Sequence, residues 1–170
     1  MRRQPVPSRG HATEALARLP EAVLERAESL CVQHGGALYL CALLMTGDED
    51  QAVDAAADGI VHGCQDPAPT GDPADPDVRR ELARLVFTDC RNRAPAMDEP
   101  QLTAAPSPYD DLVTRLAGVT RPQRDVLALC VYGGHSIEEA ASLLGISASS
   151  AHHYLAWGLR GLAATGAPRP

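Results

Sequence analysis

The stretch TRPQRDVLALCVYGGHSIEEAASLLGISASSAHHYLAWGL, residues 120–159, decides how this chain folds. Thr120 stands three residues before Gln123, and Ser136 three before Glu139. At that spacing a hydroxyl caps a backbone N–H of the first turn while the longer side chain caps in return. Ser147 supplies a third N-cap. Helices are therefore expected over about 121–132, 136–144 and 147–164. Ala141 lies four residues before Gly145 and Ala151 six after it. A small residue at a helix crossing, a glycine at the turn and an apolar anchor beyond it form the pattern of a helix-turn-helix. Gly145 suits a backbone conformation that a Cβ resists. Leu143, Leu144, Ile146 and Leu155 supply the contacts that fix the crossing angle.

The remainder of the chain reads as helical too. Of 170 residues 45% are hydrophobic and only 4% aromatic, so the core is built from Leu, Val and Ala, a composition that favours helices. Going back towards the N-terminus, 108–117 begins a second domain, and 94–107, APAMDEPQLTAAPS, reads as a linker. A first domain is expected over 13–93. Its first helix runs from about Thr13 or Pro20 to Cys31 and is stopped by Gly35 and Gly36; the second spans Ala37 to Met45. Asp48 with Gln51 caps a third, to about His62, and Pro76 opens a fourth, since proline suits a first turn. The fold class is all-α: two small helical bundles on a flexible linker, the second, 108–164, holding the helix-turn-helix.

Charge bounds the function. The net charge is −7; residues 1–100 carry 10 Arg against 17 acids, residues 101–170 carry 5 of each, and lysine is absent. Such a chain has little surplus positive charge, so nucleic-acid binding requires a partner that contributes contacts. The five cysteines, at 31, 41, 64, 90 and 130, form no CxxC and read as reduced, mostly buried thiols of a cytoplasmic protein. No signal peptide and no stretch of membrane-spanning length is read. Cys31-x-x-His34 and His62-x-Cys64 do not read as a zinc site, because neither spacing is that of a standard finger. No nucleophile triad, phosphate loop, cofactor or metal site is expected, and nothing points to an enzyme.

Residues 120–159 resemble region 4 of the sigma-70 family, in its small two-domain extracytoplasmic-function group. The resemblance is carried by Arg124, Val126, Leu127, Leu129, Tyr132, Gly134, Ser136, Glu139, Ala141, Leu144, Gly145, Ile146, Ser147 and Leu155, with Val119-Thr120 where the family has Leu-Pro. Residues 38–63 resemble the family's region 2 through Leu38, Ala42, Thr46, Gly47, Asp48, Ala52 and Asp54, with Asp58 in place of a glutamate. The resemblance implies a sigma factor that docks on core RNA polymerase through Asp54 and Asp58, which share a helix face. It implies −10 contacts from Arg79, Arg80, Arg84, Arg91 and Arg93. It implies −35 contacts from Arg124, Ser149, Ser150, His152, His153 and Arg160, and an anti-sigma factor as a further partner. The −10 helix lacks the family's Trp near Val78 and its Asn near Leu85, so it has fewer aromatic faces on which flipped bases stack. Neutral histidines stand where the family often has basic residues. Tyr154 and Trp157 are read as packing residues. Two alternatives stay open: a degenerate sigma-like protein acting through protein contacts, and a helix-turn-helix regulator of the LuxR type.

Overall fold

The computed structural model describes residues 20–65, 72–93, 114–116 and 118–164. The linker at 94–107 and both expected domain starts lie outside them. The described residues are helical, without strands. In chain order the elements are α1 (Glu21–Thr46), α2 (Glu49–Gln65), α3 (Pro76–Arg93), α4 (Arg121–Leu127), a π turn continuing it (Ala128–Tyr132), α5 (Ile137–Leu144) and α6 (Ala148–Ala164).

The largest departure from the sequence reading is α1. Gly35 and Gly36 do not stop it; one helix of 26 residues runs through them. A glycine inside a helix costs about 1 kcal/mol relative to alanine. Here that cost is outweighed by burial on both sides of the pair, since Leu30, Leu38, Cys41, Ala42, Leu43 and Leu44 are fully enclosed. His34, buried just before the glycines, donates from Nε2 to the Pro73 carbonyl at 2.6 Å and so ties α1 to the segment before α3. The helix ends where the sequence predicts. Gly47 adopts φ 68° and returns its N–H to the Leu43 carbonyl at 2.8 Å, and Asp48 Oδ1 accepts from the Gln51 N–H at 2.8 Å to start α2. Joined in this way, α1 is long and apolar enough, by length and composition, to cross a membrane, which corrects the reading that no stretch approaches that length. In this fold it is the central core helix, against which both α2 and α3 pack.

Small residues let α2 and α3 approach closely. A Cβ on Gly59 would lie 2.5 Å from Val86 Cγ2, with the Val86 backbone nitrogen at 3.6 Å behind it. Gly59→Ala is therefore expected to destabilise the fold by about 1–2 kcal/mol, because overpacking outweighs the gain in helix propensity. Chemical denaturation of the two proteins measures it.

The two helical groups do not stand apart. One continuous core takes in α1–α3 together with Leu116, Val119, Leu127, Ala128, Leu129 and Ala140. The turn after the π segment sits directly on α3. A Cβ on Gly133 would come 3.0 Å from Ala83 Cβ, and one on Gly134, at φ 77°, would come 2.8 Å from an Arg79 guanidinium nitrogen. All five cysteines are free; Cys41 and Cys90 are buried, but Cys31 is exposed. Burial, with Asp89 adding to it, pushes the Cys90 thiol up to about 12.

Candidate nucleic-acid interface

The helix-turn-helix forms as its spacing requires. Ser136 caps α5 in both directions: the Glu139 N–H donates to its Oγ at 3.1 Å, and its own N–H donates to Glu139 Oε2 at 2.8 Å. Gly145 ends α5 in the left-handed region at φ 68°, and the Ile146 N–H closes the turn on the Ala141 carbonyl at 3.0 Å. The Ser147 hydroxyl accepts from the Ser150 N–H at 3.0 Å and starts α6. Ala141, Ala151 and Val126 then meet in a small buried cluster, roofed by Ile137, Leu144, Ile146, Tyr154 and Leu155.

The inner stripe of α6 is Ala151, Leu155, Gly158 and Leu162, and a Cβ on Gly158 would strike Leu127 Cδ1 at 2.7 Å. The opposite side carries Ser149, His152, His153, Ala156, Trp157 and Arg160, all exposed. Of the residues expected at −35, Ser149, His152, His153 and Arg160 thus share one open face. Ser150 is half-buried, with its hydroxyl 2.8 Å from that of Ser147. Tyr154 packs as expected, but Trp157 does not: it is 61% exposed. At about 100° per residue it lies roughly 130° from the centre of the inner stripe. Helical spacing alone had grouped two aromatics that the packing separates.

Arg124 requires a correction. It is only 3% exposed, and its Nη1 donates to the Val119 carbonyl at 2.9 Å. It braces the chain entering α4 and does not face a phosphate. Its neighbour Asp125 is buried as well. Desolvation raises the Asp125 carboxyl above its ordinary value, although Arg121, Arg91 and Arg124 pull the other way. A raised acid binds its proton more tightly folded than unfolded, so its ionisation costs stability above its unfolded value and costs none below it. Asp125→Asn is expected to raise the melting temperature at pH 7, with the difference vanishing on acidification below about pH 3.9. Thermal melts across pH check it.

The arginines of α3 are mostly engaged. Arg80 pairs with Asp77, and Arg84 Nε donates to Glu81 Oε2 at 2.9 Å, each within one turn. Arg79 lies over the Gly134 turn. Arg91 is exposed and stacks over the Phe87 ring at 5.5 Å from its centroid. Arg93 reaches across to α2, where Nη2 pairs with Asp58, and its Nε sits 2.6 Å from Asp89 Oδ2. Desolvation acts to lower the Arg93 guanidinium, but Asp89 and Asp58 together raise it. The structure therefore joins two residues that the sequence had assigned to different sites, Asp58 and Arg93. Asp54 lies one turn before Asp58, half-buried. Between α3 and α5 runs a groove of about 430 Å³ with Arg80, Glu81, Arg84, His135, Glu139 and Leu143 on its walls. Burial holds the His135 imidazole below its ordinary value, against the pull of Glu139. Among the described residues no group of three or more His, Cys, Asp or Glu is placed to hold a metal; His34 is spent on Pro73 and His62 on the Asp58 carbonyl at 2.8 Å.

Residues 109–160 match the family model for sigma-70, region 4. Among solved structures the chain is similar to that of CnrH in complex with the cytosolic domain of CnrY. The identity is 23%, the similarity covers 90% of this chain and 92% of that one, and the TM-score is 0.53. No curated protein matches the sequence. The helix-turn-helix built by Ala141, Gly145 and Ala151 lies within the residues that match sigma-70, region 4.

Proposed function

We propose that the chain is an alternative sigma factor of the extracytoplasmic-function group. It docks on core RNA polymerase through the α2 face that carries Asp54 and Asp58. It engages the −35 element through the open face of α6 and the −10 element through α3. The observation that carries this reading is the region 4 match over 109–160, coinciding with a helix-turn-helix whose outer face is free for a groove. A chain with a net charge of −7 becomes a DNA binder because polymerase supplies affinity, and linked sites add through effective concentration. The similarity to CnrH, solved with the cytosolic domain of CnrY, supports an anti-sigma factor as a further partner.

A second reading has its own support: a sigma-like protein that acts through protein contacts. The ion-paired arginines of α3, the buried Arg124 and the exposed Trp157 favour it. Co-purification with bacterial core RNA polymerase tests what both share. Retention of the chain on immobilised core is expected; a folded chain that is not retained leaves a helix-turn-helix regulator of another kind, such as the LuxR type.

A further inference from the structure

We propose that Asp58 and Arg93 form an exchangeable ion pair that couples polymerase docking to DNA contact. A basic group of the polymerase that takes Asp58 releases the Nη2 edge of Arg93 to a nucleic-acid phosphate. This rests on the sigma-factor reading above and assigns a mechanism to residues that reading leaves in separate sites.

Three observations carry it. The pair spans two helices and 35 residues of sequence, so it joins the docking helix α2 to the end of α3. Both partners are about one-third exposed, 29% for Arg93 and 35% for Asp58, which leaves the pair open to an incoming ion. A pair so exposed contributes only about 0–1 kcal/mol, so exchanging its partner costs little. Asp89 Oδ2 lies 2.6 Å from Nε, on the same side of the guanidinium as Nη2, and this second ion pair keeps the group at the end of α3 when another cation takes Asp58. Each N–H of the planar fork takes its own acceptor, so Nη2 can exchange one anionic oxygen for another while Nε stays beside Asp89. Asp54, on the same face one turn earlier, gives the incoming basic group a second carboxylate. Arg80 and Arg84, in contrast, pair with carboxylates of their own helix and are not addressed by an event on α2.

The test uses the full chain, a short labelled single-stranded DNA and bacterial core RNA polymerase. Asp58→Asn is expected to tighten DNA binding by the free chain about three- to tenfold, with a salt dependence steeper by about 0.7 in log–log slope, one added phosphate contact. The gain is expected to disappear in the Asp58→Asn/Arg93→Gln double variant. Arg93→Gln alone is expected to bind core more tightly than wild type, because Asp58 no longer needs to be vacated. If the pair is only a brace, both single variants melt earlier and neither gains affinity; that result overturns the proposal, as does DNA binding unchanged in Asp58→Asn. Equal core affinity for wild type and Arg93→Gln also overturns the coupling while leaving the sigma reading intact. No core binding by any folded variant overturns the sigma reading itself.

Discussion

Replacing Ala151 with glutamate is expected to dismantle the helix-turn-helix and abolish promoter-dependent activity. Ala151 is fully buried where α6 crosses α5, against Val126 and Ala141. The hydrophobic side chains packed around it, among them Leu144 and Leu155, offer a carboxylate no ionic partner. An unpaired buried carboxylate, or the shift needed to expose it, costs about 3–5 kcal/mol, which is a large fraction of the stability of a domain this size. Circular dichroism and promoter binding by the reconstituted complex report it together. Ala151→Ser, which adds one small hydroxyl, is expected to retain most activity.

The second large effect is expected at Leu38. It is fully enclosed on α1, the helix on which both groups rest. Leu38→Ala removes a buried isobutyl group and leaves a cavity, for an expected loss of about 2–5 kcal/mol. Because the core is continuous, the loss is expected to reach beyond α1–α3. Urea unfolding followed by circular dichroism should show one transition moved to lower denaturant. Hydrogen exchange should show amides of α4 and α6 losing protection along with those of α1. Two transitions, with α4–α6 unaffected, would mean that the groups fold independently.

The features written in local sequence were the ones legible from it. The capping box at Ser136, the left-handed Gly145, the Ser147 cap and the Thr46-Gly47-Asp48 turn are satisfied within a few residues, so spacing alone specified them. The continuity of α1 was not legible, because Gly35-Gly36 is a local signal overruled by burial that only the assembled core provides. The same holds for Arg124: its place in the resemblance said surface contact, yet the packing of α4 encloses it. Trp157 was misread for the opposite reason, being large and apolar yet on the open side of α6. Part of the ion pairing on α3 was there to be read. Asp77–Arg80, Glu81–Arg84 and Asp89–Arg93 stand three or four apart, the spacing at which opposite charges meet on a helix. The Asp58–Arg93 pair was not, since it depends on how α2 and α3 are laid together.

Transcription in vitro tests the central claim most directly. Purified chain and bacterial core RNA polymerase are combined with a library of promoter sequences, and the transcripts are compared with those from core alone. The account predicts new transcripts from a defined subset of promoters that share −35 and −10 elements, lost with Ala151→Glu. Stable binding to core with no new transcripts from any promoter would contradict it and would assign the chain to regulation through protein contacts.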